Sequence, residues 1–158
     1  GTAYAYFFVR ALDRACLEDV YRRLILCAEG GFAVVHSGWK GTMARIAAQA
    51  AVRLAEMAGT VPGALRAYIG PHILGDEYEV DAALAERFLA EFGPRALAGP
   101  RKVDLGACIA SALADAGLDP AAICDDKVSC FSNPDRFFSY RASGGTCGRH
   151  GALAVIEE

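Results

Sequence analysis

The run His36-Ser37-Gly38-Trp39-Lys40-Gly41 gathers the residues of this chain best suited to chemistry. It follows the apolar stretch Phe32-Ala33-Val34-Val35 and precedes a helix-like pattern, which places His36 in a strand-to-helix turn. A histidine there can ligate a metal or act as a general base, and it can equally be a structural residue of the turn. Gly38 and Gly41 let the backbone turn sharply and let a ligand approach closely. The amides of the following helix can hold an anion. Ser37 can donate a hydrogen bond. Trp39 can stack on a flat ring or simply cover the core. Lys40 can neutralise a phosphate or carboxylate, or stand as a solvated surface charge.

Three further groups matter. Gly70-Pro71-His72 ends a second strand-like stretch, so His72 reads as a surface histidine or, if the two strands are parallel neighbours, as a second ligand near His36. Phe137-Phe138-Ser139-Tyr140-Arg141 alternates like a strand. Arg141 and the later Arg149 are either strand-end surface arginines or binders of an oxyanion or phosphate. Cys130 reads as a buried apolar residue rather than a nucleophile, because nothing near it in sequence lowers its pKa.

The elements that position these residues alternate from Gly30 onward. After the His36 turn, Met43, Ile46, Ala47, Ala50, Ala51 and Leu54 recur at helical spacing, with Thr42 as a cap and Gly59 as a stop. Leu65 to Ile69 reads as a strand, and Tyr78-Glu79-Val80 as a short extended piece. Asp81 opens a second helix with Leu84, Phe88, Leu89 and Phe92 on one side, stopped by Gly93-Pro94. A third helix from Asp104 buries Leu105, Cys108, Ile109, Ala112 and Leu113 and ends at Gly117. Strand-like stretches follow at Lys127 to Phe131, Phe137 to Arg141 and Ala152 to Ile156, with Gly144, Gly145 and Gly148 turning between the last two. Strands mixed with three amphipathic helices predict a layered α/β or α+β domain.

Bulk properties narrow the function. The chain has 158 residues, 54% hydrophobic and 22% charged, which fits one globular domain. A net charge of -3 gives no electrostatic case for nucleic acid or an anionic membrane. No apolar run approaches membrane-spanning length. The six cysteines (Cys16, Cys27, Cys108, Cys124, Cys130, Cys147) form no CxxC pair and are expected as reduced thiols in a cytoplasmic protein.

Four pieces in this order resemble one family. They are His36 to Gly41, Ile69-Gly70-Pro71 with Tyr78-Glu79-Val80, Val103-Asp104-Leu105, and Phe137 to Arg141 with Gly148-Arg149. Together they resemble the YfiH-type laccase-domain family, also known as polyphenol oxidases or multifunctional purine nucleoside phosphorylases. The resemblance implies an α+β fold of packed α/β/β/α layers with a mixed sheet, as a single domain over residues 1–158. It implies a metal-assisted site, zinc or alternatively copper, acting on purine nucleosides and phosphate. The activities implied are phosphorolysis of adenosine, inosine and methylthioadenosine, and adenosine deamination. The alternatives are copper-dependent oxidation of phenols, or an inactive homologue lacking metal.

Of the family's three metal ligands, only one carries over, onto His36, which the resemblance also makes catalytic. Arg141 joins it as a catalytic residue, and Ser37, Trp39, Lys40, Tyr140 and Arg149 are the expected substrate-binding residues. The upstream His has no counterpart. Matching Leu24-Ile25-Leu26 to the family's apolar strand puts Tyr21 where a Cys belongs and brings Arg22 and Arg23 into a strand that should be buried, which is costly. Cys16 lies five residues too early. Residues 1–23 are thus atypical, and the chain is expected to correspond to the C-terminal portion of the family's domain. A leading segment translated from a shifted frame, or a homologue that has lost its metal, would each account for this.

Overall fold

Apolar residues at every second position of Leu24, Leu26 and Ala28, of Ala33 and Val35, and of Ala67 and Ile69 give one sheet face a continuous hydrophobic surface. In the computed structural model, which describes residues 6–8 (backbone alone), 24–28 and 31–146, these positions lie on a five-stranded sheet. Its strands are β1 (Tyr6–Phe8), β2 (Leu24–Ala28), β3 (Gly31–Val35), β4 (Arg66–Ile69) and, after the elements below, β7 (Ile123–Asp125), in the order β1-β3-β2-β4-β7. β1 and β2 each pair antiparallel with β3, and β2 pairs antiparallel with β4. β7 runs parallel to β4, so the sheet is mixed. The register sets Leu24 opposite Val35, and Leu26 opposite both Ala33 and Ala67, which aligns the apolar face across three strands.

Helices α1 (Trp39–Met43) and α2 (Ile46–Met57) follow β3. Between β4 and β7 come α3 (Ala82–Phe92), the small hairpin β5 (Leu97–Gly99) and β6 (Lys102–Val103), and α4 (Leu105–Asp115). Ala47, Ala50, Ala51, Leu54 and Ala55 of α2, with Ile109 and Leu113 of α4, bury the sheet face. The α+β class with a mixed sheet is therefore as expected. A second core of Tyr78, Val80, Ala85, Phe88, Phe92, Ala96 and Val103 packs against the adjacent face of α4, at Leu105, Cys108 and Ala112.

The expected helix stops and two of the caps are present. Asp81 accepts the Leu84 amide at 2.8 Å and Asp104 accepts the Ala107 amide at 2.8 Å, satisfying donors that a helix leaves orphaned. Gly59, Gly93 and Gly117 end their helices with φ of 65°, 73° and 100°. All five expected residues of α4 are buried. On α3, Phe88 and Phe92 are buried but Leu89 is exposed, so its apolar stripe is narrower than the sequence suggests.

Four expectations of local structure fail. Thr42 is not a cap: Gly38 precedes the first turn, and Thr42 sits buried inside α1, its hydroxyl 2.9 Å from that of Ser37. The expected single helix is broken at Arg45, with φ 53°. That left-handed turn brings its guanidinium to Glu91 at 2.6 Å, to Asp115 at 2.8 Å and onto the Phe92 ring. The contacts to α3 and α4 offset a conformational cost of about 1–2 kcal/mol.

The other two failures are strands. Lys127 to Phe131 makes one isolated bridge, Ser129 with His72. Phe137 to Arg141 keeps the alternation, with Phe137 and Ser139 buried and Phe138 and Tyr140 exposed, but forms no strand. Its backbone closes on itself: the Ser143 amide donates to the Ser139 carbonyl and that of Gly145 to the Tyr140 carbonyl. Gly144 and Gly145, both at positive φ, lie in that turn, while the second of the two strands they were expected to join lies outside the described residues. Arg149, Gly148, Cys16, Cys147, Tyr21 to Arg23 and the stretch Ala152 to Ile156 lie outside the described residues.

Candidate active site

β3, β4 and β7 run in one direction, because β3 and β4 are both antiparallel to the intervening β2. The chain therefore leaves all three strands at the same end of the sheet. His36 leaves β3, Gly70 to His72 leave β4, and Asp126 to Ser129 leave β7.

The condition under which His72 would be a second ligand is not met, since the strands of His36 and His72 are not neighbours and β2 separates them by about 9–10 Å. Nor is His72 a surface residue. Its side chain is 16% exposed, and Nδ1 donates to the Gly70 carbonyl at 3.0 Å. Nε2 faces Gly106 at the start of α4 and has no hydrogen-bond partner among the described residues. Beside it, Asp125 is held by the Lys127 amide at 3.0 Å and the Lys127 ammonium at 2.8 Å. Hydrogen bonding to Asp125 raises the Lys127 pKa despite partial burial.

A cleft of about 560 Å³ opens where α1, the segment 78–81, the β5–β6 turn and the 140s loop meet. Trp39, Tyr78, Glu79, Leu84, Arg101 and Arg141 line it. Trp39 does two jobs, packing its ring on the second core and presenting part of it to the cleft. The Arg141 guanidinium lies 5.0 Å from the centre of the Tyr78 ring, and its Nη1 donates to the Glu79 carbonyl at 2.7 Å. Neither partner is an anion, so the positive charge is held without being neutralised there. Burial raises the Tyr78 pKa, and Arg141 opposes that shift. Arg101 pairs with the Glu79 carboxylate.

The other sequence-derived residues within the described part of the chain do not line this cleft. Lys40 is exposed, its ammonium 5.4 Å from the centre of the Trp39 ring. The Ser37 hydroxyl is engaged with Thr42. Tyr140 is exposed, and its hydroxyl packs against Gly145. His36 is exposed at the mouth of the α1 turn, with Nε2 directed at Gly38. Sequence reasoning thus located Trp39 and Arg141 in the cleft. It quoted Tyr78 and Glu79 without giving them a role, and it missed Arg101, which sits in a short hairpin turn with no motif of its own.

The residue that holds the 129–133 turn was also missed. Glu77 accepts the Ser129 hydroxyl at 2.5 Å, the Ser132 hydroxyl, and the Leu74 amide at 3.3 Å. Burial pushes its pKa up, but these donors and nearby His72 outweigh burial and hold it below the ordinary carboxylate range. The thiols read as inert. Burial pushes Cys27 up to about 11 and Cys108 to about 12, and Cys130 is buried as expected.

The described residues do not by themselves make a metal centre. Among them no three His, Cys, Asp or Glu side chains converge, and His36 is a single exposed donor. A tight zinc site needs three or four donors.

This arrangement offers part of the Trp39 ring as a stacking face and guanidinium groups against which an anion can sit. Comparison with known proteins agrees with the sequence motifs. The profile of the family described as multi-copper polyphenol oxidoreductase laccase matches residues 24–157, and the chain belongs to this family. It is 32% identical over 139 residues to a protein of Deinococcus radiodurans named purine nucleoside phosphorylase, covering 85% of this chain and 53% of that one. It is 32% identical over 127 residues to adenosine deaminase RL5 from an unknown prokaryotic organism, covering 76% of this chain and 48% of that protein. The crystal structure of YlmD from Geobacillus stearothermophilus superposes with a TM-score of 0.71 at 24% identity, covering 80% of this chain and 50% of that one. The chain spans about half the length of the relatives it matches.

Proposed function

We propose that this chain contributes a purine-nucleoside site to an enzyme that cleaves nucleosides with phosphate, with adenosine deamination and methylthioadenosine phosphorolysis as further activities. The observation that carries the reading is the cleft itself: Trp39, Tyr78 and Arg141 line one space of about 560 Å³, the size of a small-molecule site. The relatives named purine nucleoside phosphorylase and adenosine deaminase support the same substrate class.

In phosphorolysis a phosphate oxygen bonds to the anomeric carbon while the bond from that carbon to the base nitrogen breaks. The base departs with the bonding electrons and takes up a proton. Arg141 is the group that holds the phosphate, with Lys40 and Arg149 as further cations of the same role. Trp39 stacks on the base, with Tyr140 as the alternative ring, and Ser37 is a hydrogen-bond donor to the substrate. His36 acts in catalysis as one donor of a metal site, zinc or alternatively copper, whose other donors would lie outside the described residues.

Among the described residues no helix is long and apolar enough to cross a membrane. Cys27, Cys108 and Cys124 are thiols, which supports a cytoplasmic location. The small molecules named above are the partners of this reading, with neither nucleic acid nor membrane among them.

The test is incubation of the chain with inosine and phosphate. Hypoxanthine is expected, with the activity lost on His36→Ala and on Arg141→Gln. If instead the chain consumes oxygen with a phenol and leaves inosine intact, the copper oxidase alternative, which the family's description favours, replaces this reading.

A further inference from the structure

Both arginines of the cleft are anchored on one residue. The Glu79 carboxylate pairs with Arg101, and the Glu79 backbone carbonyl accepts from Arg141 at 2.7 Å. Arg101 has φ 57°, a left-handed conformation that residues with a β-carbon seldom adopt. Such strain persists where the surroundings over-determine it, and it clusters at functional sites. The determinants are visible here. The Arg101 carbonyl accepts the Val80 amide at 2.9 Å, and the Val103 amide donates to the Tyr78 carbonyl at 3.0 Å. The β5–β6 turn is thereby locked onto segment 78–80, with Arg101 lining the cleft.

The two cations differ in state. Arg141 is held by a neutral carbonyl and a ring face, whereas Arg101 already faces a carboxylate. The Arg101–Glu79 pair is more than half exposed on both sides, so water and salt weaken it. A phosphate has several acceptor oxygens and can bridge two guanidinium groups, which one tethered carboxylate does not do here.

We propose that Arg101 is a second anion-binding residue of the cleft and that Glu79 is its built-in competitor, a phosphate dianion binding by displacing the Glu79 carboxylate from Arg101. The inference rests on the reading that this cleft takes phosphate. It makes Glu79 a specificity-determining residue. Because the competitor is tethered at the site, it sets a penalty that a dianion offsets better than a singly charged anion, and the Arg101–Glu79 pair re-forms when the ligand leaves. No bond is made or broken in the exchange.

Trp39 is the chain's one tryptophan and lines the cleft, so its fluorescence reports binding without catalysis. Inorganic phosphate is titrated into the full chain at constant ionic strength. Glu79→Gln is expected to bind phosphate about two- to fivefold more tightly, the equilibrium weight of an exposed ion pair. Arg101→Gln is expected to bind about tenfold more weakly, with partial recovery in Arg101→Lys. The gain from Glu79→Gln should vanish when Arg101→Gln is also present, because the two residues act through one contact. A structural role for Glu79 would give a loss instead of a gain.

Unchanged or weaker binding in Glu79→Gln overturns the proposal. So does a gain that survives removal of Arg101, or an absence of any Trp39 response in the parent chain. Should Glu79→Gln fail to fold, Glu79→Asp, with a carboxylate one methylene shorter, is expected to show a smaller gain, and no gain there counts against the proposal. The inosine assay separates the two claims. Phosphate binding with this pattern but no hypoxanthine refutes the reaction alone. Turnover with a phosphate KM unmoved by Glu79→Gln refutes the competitor alone.

Discussion

At the scale of single residues, the cleft divides its work between rings and charges, and that division is measurable. Trp39 is the base-stacking group and Arg141 the anion-binding group of the proposed reaction. Trp39→Leu removes an aromatic face but keeps an apolar side chain on the second core, so the fold is preserved while stacking worth about 1–3 kcal/mol is lost. Arg141→Gln removes a charge-assisted contact worth about 1.5–3 kcal/mol. In steady-state kinetics Trp39→Leu should raise the nucleoside KM and leave the phosphate KM near its parent value, and Arg141→Gln should do the reverse. If both variants raise both KM values equally, the cleft does not divide base from anion in this way. Trp39 was open to both readings in the sequence, stacking on a ring or covering the core, and only its place in the His36 to Gly41 motif singled it out. Arg101 was not legible there, because its role depends on a three-dimensional meeting between a hairpin turn and Glu79, 22 positions away.

At the scale of elements, the start of α4 is wedged against the residues that leave β4 and β7. A Cβ at Gly106 would stand 2.8 Å from His72 Nε2 and 2.8 Å from Asp125 Oδ2. Helix propensity alone makes Gly106→Ala stabilising by about 0.5–1 kcal/mol. The contact has the opposite sign. His72 is fixed by the Gly70 carbonyl, and Asp125 by the Lys127 amide and ammonium, so neither moves away freely, and overpacking costs about 1–3 kcal/mol. Gly106→Ala should therefore lower the urea midpoint, and adding His72→Ala should recover part of the loss. A midpoint that rises would mean the junction is loose. The helices α3 and α4 were readable from sequence because their signals are local: an Asp cap, a stripe of apolar residues and a terminal glycine. The break at Arg45 was not, because the ion pairs that favour it reach residues 46 and 70 positions away. Phe137 to Arg141 misled for a related reason. Alternation reports which side chains are buried, and here it did so correctly, but a strand also needs a hydrogen-bonding partner, which no local pattern specifies.

At the scale of the whole molecule, α4 is a wall shared by two cores. Ile109 and Leu113 enter the core under the sheet, while Leu105, Cys108 and Ala112 enter the core that supports the cleft. Trp39 packs on the second core and Leu113 is fully buried in the first, so the two residues report on two different cores that share one helix. If the helix couples the cores, neither can melt while the other stands, and unfolding is a single cooperative step. Leu113→Ala removes buried volume at a cost of about 2–5 kcal/mol. In urea, the transitions seen by Trp39 fluorescence and by far-ultraviolet circular dichroism should coincide in the parent chain and shift together in Leu113→Ala. A Trp39 transition that stays in place while the dichroism transition moves would show two independent cores. In that case the cleft is carried by the second core alone, and the end of the sheet that presents His36 is free to move relative to Arg141. Coincidence instead shows that Trp39, and with it the cleft, loses its place in the same step as the sheet, so the cleft has no stability apart from the core beneath it.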